Sequence, residues 1–281
     1  MADATSSELI AATIARSRTI TRPDGRAISF VELGKASGRP LIHFHGTGFS
    51  SLEALTGARL AVDAGVRLVA FDRPGFGGST PLPGRNLADV AADAVALADQ
   101  LGIERFWASG FSGGVPHALA TAAEAGSRCH GVVGVNTAGD VGDPAWRRVP
   151  LPARLLVRLM TMRPIARRMW PRMFSDIPAM LSPDQSPKTA ALLQAAFSHG
   201  SGNGDAASLR ELALFYRDGW GDPWPKIVSP VTLFHGRLDG LLPFAIALAA
   251  QHAGTTLVEI AGKHMDWASA ATWRRLLANV S

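Results

Sequence analysis

Short apolar segments alternate with helix-like segments along most of the 281 residues of the chain. The runs "PLIHF", "VRLVAF", "RFWAS", "GVVGV", "VTLF" and "TTLVEI" have the length and composition of buried strands, and a glycine, aspartate or asparagine follows each within two residues. Between them apolar residues recur at helical spacing, as from Ser51 to Ala64 and from Leu87 to Leu101, with Asn86 as a suitable N-cap. This alternation predicts an α/β fold with a mostly parallel, doubly wound sheet and helices on both faces.

Two parts of the chain depart from the alternation. Near the start, "RTIT" and "AISFVEL" flank the turn sequence "PDG" and predict a pair of strands. Residues 139–226 are rich in Pro, Arg, Met and Trp and show no strand pattern. We therefore expect a core formed by residues 1–138 and 227–281, with residues 139–226 inserted as a helical cap.

Ligands of parallel α/β sheets bind at the carboxyl ends of strands, so the residues that follow each strand are candidates for a site. One of them is Ser112, which lies in "GFSGG" between a predicted strand and a predicted helix. This is the G-x-S-x-G form of a nucleophile elbow, in which Gly110 and Gly114 let strand and helix pass closely while the serine hydroxyl is raised at the helix N-terminus. The pentapeptide alone is weak evidence, because chains of this glycine and serine content often contain it by chance.

A serine nucleophile needs a general base, and the base needs an acid that orients it. His264 follows the strand "TTLVEI" in "AGKHMDW", and Asp239 follows "VTLF" in "HGRLDGLLP". We expect these two residues to be the base and the orienting acid. Asp140, which comes after "GVVGVNT", is an alternative acid, although turn formation also explains its place in "TAGDVGDP".

These motifs resemble those of the α/β-hydrolase fold superfamily, over nearly the whole chain from about Arg18 onward. "HFHGTG" resembles the oxyanion loop of that superfamily, "FDRPGFGGS" its D-x-x-G-x-G-x-S turn, "HGRLDGLLP" its acid loop and "GKHMDW" its histidine loop. The resemblance implies that Ser112 is the nucleophile and that the backbone N–H groups of Thr47 and Gly113 form the oxyanion hole. It is a poor guide to the substrate, because this fold hosts many chemistries.

The inserted segment offers apolar side chains for a substrate pocket. Met160 and Trp170 belong to this set, and methionine-rich surfaces adapt to varied ligands. Phe111, next to the nucleophile, and Trp267, three residues after His264, are the expected walls nearer the core. The same side chains also suit simple packing of helices, so each of these assignments is a hypothesis. Such a pocket favours a small apolar carboxylic ester or lactone, cleaved through an acyl-enzyme.

Other functions on the same fold stay open: an amidase or aminopeptidase, a carbon–carbon bond hydrolase, a perhydrolase, a cofactor-free oxygenase, or a ligand-binding receptor with slow turnover. Serine in the elbow argues against haloalkane dehalogenase and epoxide hydrolase chemistry, which use an aspartate there. We expect no cofactor and no metal. His43 and His45 form an H-x-H pair, but no further His, Asp or Cys stands nearby at ligand spacing.

Most of the net charge of +5 comes from residues 144–175, which contain eight arginines and no acid. Apolar residues alternate with these arginines at helical spacing, which favours the solvated face of amphipathic helices and leaves open contact with an anionic membrane surface or an acidic partner. No nucleic-acid partner is expected, since neither a recognised nucleic-acid-binding fold nor interleaved aromatics accompany the charge.

The sequence favours a cytoplasmic protein without stable membrane insertion. Cys129 is the single cysteine, which excludes an internal disulfide framework. No apolar run approaches the roughly 20 residues that a membrane-spanning helix needs, and the first residues lack the pattern of a secretory signal. A homodimer is left open.

Overall fold

The computed structural model of the protein describes residues 5–182, 185–219 and 226–280. Its strands are β1 Arg18–Thr21, β2 Ala27–Gly34, β3 Arg39–Phe44, β4 Val66–Phe71, β5 Phe106–Phe111, β6 Cys129–Val135, β7 Val231–Gly236 and β8 Thr255–Ile260. They form one sheet in the order β1-β2-β4-β3-β5-β6-β7-β8. β2 pairs antiparallel with β1 and β4, and the other neighbouring pairs are parallel. The predicted α/β fold with a mostly parallel sheet is confirmed.

Alternate residues of the strands face opposite sides of the sheet and belong to two separate apolar cores. In β4, for example, Leu68 and Ala70 join one core, whereas Val69 and Phe71 join the other, and all four are fully buried. Helices therefore cover both faces of the sheet. The helices are α1 Ser6–Ala15, α2 Ala58–Asp63, α3 Leu87–Gln100, α4 Gly114–Ala125, α5 Leu151–Met160, α6 Arg163–Met173, α7 Ile177–Met180, α8 Pro187–Gly200, α9 Ala206–Ala213, α10 Leu242–Gln251 and α11 Ala270–Ala278.

The N-cap predicted for α3 is present, and the helical pattern from Ser51 to Ala64 corresponds to two short helices. The Asn86 side chain accepts a hydrogen bond from the backbone at the third residue of α3, as an N-cap does. The earlier segment is a 3-10 helix, Ser51–Thr56, followed by α2. The indole of Trp273 packs against Gly57, between these two helices, where an added Cβ would lie 2.4 Å from the ring.

Between β6 and β7, the described residues form helices and turns without a strand. α5 to α9 lie here, together with a 3-10 helix, Pro144–Arg148, and a π-helical turn, Leu214–Asp218. α8 packs on the 3-10 helix Ser51–Thr56 of the core. Residues 183–184 and 220–225 of the predicted cap lie outside the described residues, and the division of the chain into core and cap stays a prediction. None of the described helices combines the length and the apolar character that crossing a bilayer requires.

Candidate active site

Ser112 occupies the tight turn between β5 and α4. Its φ of 49° lies in the left-handed region, which non-glycine residues rarely adopt and which costs about 1–3 kcal/mol. A Cβ on Gly110 would come within 2.4 Å of the Gly114 carbonyl, and one on Gly114 within 2.0 Å of the Phe44 carbonyl oxygen. The two glycines therefore permit the close approach of strand and helix that an elbow needs.

The side chains of Ser112, His264 and Asp239 form one hydrogen-bonded chain. His264 Nε2 lies 2.9 Å from Ser112 Oγ, and His264 Nδ1 lies 2.7 Å from Asp239 Oδ2. An ionised carboxylate accepts only, so Nδ1 carries the proton that it donates to Asp239. Nε2 then has its lone pair free to accept the Ser112 hydroxyl proton. The fold thus brings together three residues that are up to 152 positions apart in sequence.

Asp239 is buried and has further polar partners. His235 Nε2 lies 2.9 Å from Oδ2, and the Leu241 backbone N–H donates to Oδ1 at 3.0 Å. Burial alone would raise the pKa of Asp239, but the charge and hydrogen bonds of His264 and His235 outweigh it and hold that pKa well below its usual range. The carboxylate is therefore ionised wherever His264 works as a base.

The alternative acid, Asp140, stands at a different place. Its Oδ1 accepts a hydrogen bond from the Gly142 backbone N–H at 2.8 Å, which is the turn geometry that its sequence position suggested.

Nearby, Asn136 adopts a φ of 48° and links two loops. Its Nδ2 donates to the His264 carbonyl at 2.7 Å, and its Oδ1 accepts from the Gly236 N–H at 2.8 Å. Asn136 thereby fixes the backbone that carries His264.

The two segments predicted to supply oxyanion donors lie side by side at the serine. Thr47 and Gly113 line the same cavity as Ser112 and His264. A Cβ added to Gly113 would lie only 2.1 Å from Thr47 Oγ1, so the loop after β3 packs directly on the start of α4. Backbone N–H groups at a helix start carry partial positive charge, which suits a developing oxyanion.

Behind Thr47 lies a buried cluster of charged side chains. Thr47 Oγ1 donates to Glu211 Oε2 at 2.8 Å, and the Arg73 guanidinium donates to both carboxylate oxygens at 2.6 and 2.7 Å. Arg85 Nη2 lies 3.1 Å and His117 Nε2 3.4 Å from Oε1. Burial alone would raise the pKa of Glu211, but the Arg73 charge and the His117 contact hold it well below its ordinary value. Glu211 belongs to α9, so the insertion contributes a carboxylate to the base of this loop.

The histidines of the H-x-H pair are both engaged in hydrogen bonds. His43 Nε2 lies 3.1 Å from Glu53 Oε1, and its Nδ1 lies 2.9 Å from Ser109 Oγ. His45 Nδ1 donates to the next backbone carbonyl at 2.8 Å, and its Nε2 accepts from the Arg73 N–H at 3.2 Å. Burial, together with the Arg73 charge, holds the pKa of His45 well below its ordinary value. Among the described residues, no group of three or more His, Cys, Asp or Glu could hold a metal.

A cavity of about 270 Å³ opens above Ser112 and is lined mainly by apolar side chains. Phe111, Met160 and Trp170, three of the candidate pocket residues, line it. Trp267 is not part of the lining: it is buried behind Phe111, and the two rings stack with their centroids 4.1 Å apart. Trp267 therefore supports a wall of the pocket rather than forming one. Further lining side chains are Phe49, Leu156, Val157, Phe174, Leu212 and Phe215.

Sequence reasoning missed the contacts of Glu211 and His235. His235 precedes Asp239 by four residues, and this i, i+4 relation was the available signal. Glu211 has a weaker signal. It lies among Leu209, Leu212 and Ala213, all buried, and an acid on the apolar side of a helix needs a buried cation. Nothing local to the sequence identifies that cation as Arg73.

Comparison with known proteins agrees with this fold. A sequence model described as alpha/beta hydrolase fold matches residues 39–267. The sequence matches no curated protein. Among solved structures, a bromoperoxidase from Bacillus anthracis is similar with a TM-score of 0.76 and 16% identity, over 94% of this chain and 99% of that one.

Two further structures cover 94% of this chain. An esterase from Rhodococcus sp. ECU1013 has a TM-score of 0.69 and 20% identity over 96% of its own chain. An enol-lactonase from Burkholderia xenovorans LB400 has a TM-score of 0.67 and 20% identity over 99% of its own chain. Identities this low establish the fold and leave the substrate open. The chain belongs to the alpha/beta hydrolase fold family.

Proposed function

We propose that this protein is a serine hydrolase that cleaves a small apolar carboxylic ester or lactone through an acyl-enzyme. The observation that carries the proposal is the contact of 2.9 Å between His264 Nε2 and Ser112 Oγ, with Asp239 on the other ring nitrogen. A serine, a neutral imidazole and a buried carboxylate in this relation form the arrangement that activates a hydroxyl for attack.

The reaction has two halves that the same residues serve. Ser112 Oγ attacks the carbonyl carbon while His264 Nε2 takes the hydroxyl proton, and Asp239 stabilises the resulting imidazolium. The oxyanion is stabilised by the backbone N–H groups of Thr47 and Gly113. The tetrahedral intermediate collapses when His264 returns the proton to the leaving alkoxide. Water then attacks the acyl-enzyme by the same route and releases the acid and free Ser112.

The pocket supports an apolar substrate of modest size. Its volume of about 270 Å³ lies slightly below the usual range for small-molecule sites, about 300–1,000 Å³. Met160 of α5 and Trp170 of α6 line it, so residues 139–226 act as a cap over Ser112 in this proposal. The esterase and the enol-lactonase among the structural neighbours are consistent with ester or lactone cleavage. No cofactor enters the scheme.

The test combines an active-site serine probe with a substrate series. The wild type, Ser112→Ala and Ser17→Ala are assayed on p-nitrophenyl esters of increasing acyl length and on simple lactones, and are labelled with a fluorophosphonate. Ser17 is exposed and is not among the residues that line the pocket, so it is the matched control. Ser112→Ala should lose labelling and several orders of magnitude of turnover, because triad members act as a unit.

Two results would contradict the proposal. Unchanged hydrolysis in Ser112→Ala would show that another group performs the chemistry. A stoichiometric burst without subsequent turnover, across the whole series, would favour the ligand-binding receptor over the hydrolase.

A further inference from the structure

α5 exposes a stripe of leucines that an amphipathic helix ordinarily buries. Leu151, Leu155 and Leu159 are spaced four residues apart and share one side of the helix. They are 61%, 53% and 42% exposed. Contiguous apolar surface of this kind marks an interaction site more often than scattered single residues do. Met160, on the opposite side of α5, is buried and lines the cavity above Ser112.

Arginines flank this stripe and border a second cavity. Arg154 and Arg158 lie next to the leucines at helical spacing. With Leu151, Leu155 and Arg217 they line a groove of about 380 Å³ that is distinct from the cavity above Ser112. Trp146 and Tyr216 close the groove from the other side.

The charged side chains that line the groove are all arginines. Arg217 is already paired with Asp218, at 2.8 Å. Arg154 Nε is shielded from solvent and has no hydrogen-bond partner among the described residues, and Arg158 is exposed. Of the arginine side chains described between positions 144 and 175, one forms an ion pair, Arg167 with Asp205 at 3.6 Å. The groove and its surroundings therefore present guanidinium groups that an anion could engage.

The two cavities adjoin each other across α5. Leu156 lines the cavity above Ser112 and is 44% exposed, so this cavity reaches the surface beside the leucine stripe. Tyr216 lines both cavities. A molecule held on the outer side of α5 would therefore lie next to the mouth of the proposed substrate pocket.

We propose that the α5 face, formed by Leu151, Leu155, Leu159, Arg154 and Arg158, docks on an anionic lipid surface. The leucines enter the boundary between headgroups and acyl chains, as in helices that lie in the plane of a membrane, and the groove takes a headgroup phosphate on its arginines. Phosphate suits this groove because guanidinium groups bind its oxygens with charge-assisted hydrogen bonds.

A second copy of the chain fits this face less well. A twofold contact would place the same surface patch of each copy against the other. The arginines would then face arginines, with no acid between positions 144 and 175 to compensate them. An anionic lipid surface satisfies both the leucines and the arginines.

The test measures binding to vesicles, not activity. Co-sedimentation should show binding to phosphatidylcholine vesicles that contain phosphatidylglycerol, weak binding to vesicles of phosphatidylcholine alone, and release at high salt. Arg154→Gln/Arg158→Gln should weaken binding about fivefold for each arginine, the change that about 1 kcal/mol produces. Leu155→Ser/Leu159→Ser should weaken it about tenfold or more, because each leucine leaves the apolar phase.

Matched controls separate this inference from the proposed chemistry. Arg59→Gln/Val62→Ser removes one exposed arginine and one exposed apolar residue from α2 and should bind as the wild type does. Ser112→Ala should also bind normally, so a failure of the hydrolase proposal leaves this result intact. Circular dichroism confirms that each variant is folded.

Three results would overturn the inference. The first is equal binding, or none, to neutral and anionic vesicles. The second is a dimer in solution that the leucine variant converts to monomer, without vesicle binding, which would assign the face to a second copy. The third is binding to soluble polyglutamate as strong as binding to vesicles and unaffected by the leucine changes, which would assign the face to an acidic protein.

Discussion

Among the carboxylates described above, Glu211 is the one whose neutralisation should destabilise this protein most. Glu211→Gln keeps the shape of the side chain but removes the negative charge. Arg73, which is fully buried, and Arg85, which is 4% exposed, would then share no carboxylate. The Thr47 hydroxyl would lose a charged acceptor for its hydrogen bond.

The expected loss follows from the burial of these charges. Removing one partner of a buried ion pair typically costs about 3–5 kcal/mol, because the remaining charge is left uncompensated in a medium that solvates it poorly. Here two arginines depend on one carboxylate, so we expect a value at the upper end of that range. Stabilities of about 5–15 kcal/mol are usual, so this is a large fraction of the total. At about 5 kcal/mol the melting temperature should fall by roughly 10–20 °C, taking about 2–4 °C per kcal/mol for a domain slightly smaller than this one.

The assay is thermal and urea unfolding, followed by circular dichroism, of the wild type, Glu211→Gln and Glu259→Gln. Glu259 is the matched control, because its side chain is 42% exposed and contacts Arg237, which is 67% exposed, at 3.3 Å. Exposed pairs of this kind contribute about 1 kcal/mol or less. If Glu211→Gln and Glu259→Gln lose similar and small amounts, the buried cluster does not need its carboxylate and the reasoning is refuted.

A double variant separates lost charge from lost packing. In Glu211→Gln/Arg73→Met, one of the uncompensated guanidinium groups is gone as well. Because an uncompensated buried charge is the costly element of a broken pair, removing the Arg73 charge as well should return part of the stability lost in Glu211→Gln. No recovery would indicate that the contacts of the carboxylate, and not its charge, determine the loss.

Three further predictions concern the chemistry and its pH dependence. Asp239→Asn should reduce ester turnover about 10⁴-fold while Asp140→Asn stays nearly normal, since His264 contacts Asp239; the opposite ranking in kcat would transfer the orienting role to Asp140. Burial lowers the pKa of His117 to about 4 from 6.5, so the unfolded chain binds the proton first and stability should be lost as the pH falls from 6.5 to about 4. In His117→Gln, the free energy of unfolding measured with urea should change less with pH over that interval. An unchanged pH dependence would exclude His117 as its source. Chelation by EDTA should leave ester turnover intact, because the described residues contain no candidate metal cluster; a loss that zinc restores would disprove this.

The sequence was sufficient for the fold because the fold depends on local patterns. Strand-length apolar runs, helical periodicity and the N-cap at Asn86 are each visible within a few residues, and the sheet has the predicted parallel character. The positions of Ser112, Asp239 and His264 were available for the same reason. Ser112 directly follows β5, Asp239 and His264 lie in the loops that follow β7 and β8, and parallel strands end at one edge of the sheet.

The parts that the sequence did not reveal depend on contacts between distant segments. Glu211 and Arg73 are 138 positions apart, and an acid on a helix is ordinarily a solvated residue, so no local pattern predicts their pairing. Trp267 stands close to His264 in sequence, but its ring stacks on Phe111 of β5, which is distant in sequence. The close contact between Gly57 and the Trp273 ring likewise joins distant segments, because Trp273 comes from the last helix.

Helices α9 and α5 of the insertion contact the site in two physically different ways. Substitutions in α9 and in α5 should therefore have different effects. α9 is fixed to the core by a carboxylate buried among cations, and this carboxylate also accepts the hydrogen bond of Thr47. Changes at Glu211 should therefore affect global stability and the rate of the chemical step together. α5 lines the cavity through Met160 and exposes Leu155 to solvent. Leu155 and Leu159 are exposed and do not line the cavity, so their replacement by serine should leave the melting temperature and turnover of a short soluble ester unchanged, even where it abolishes binding to anionic vesicles.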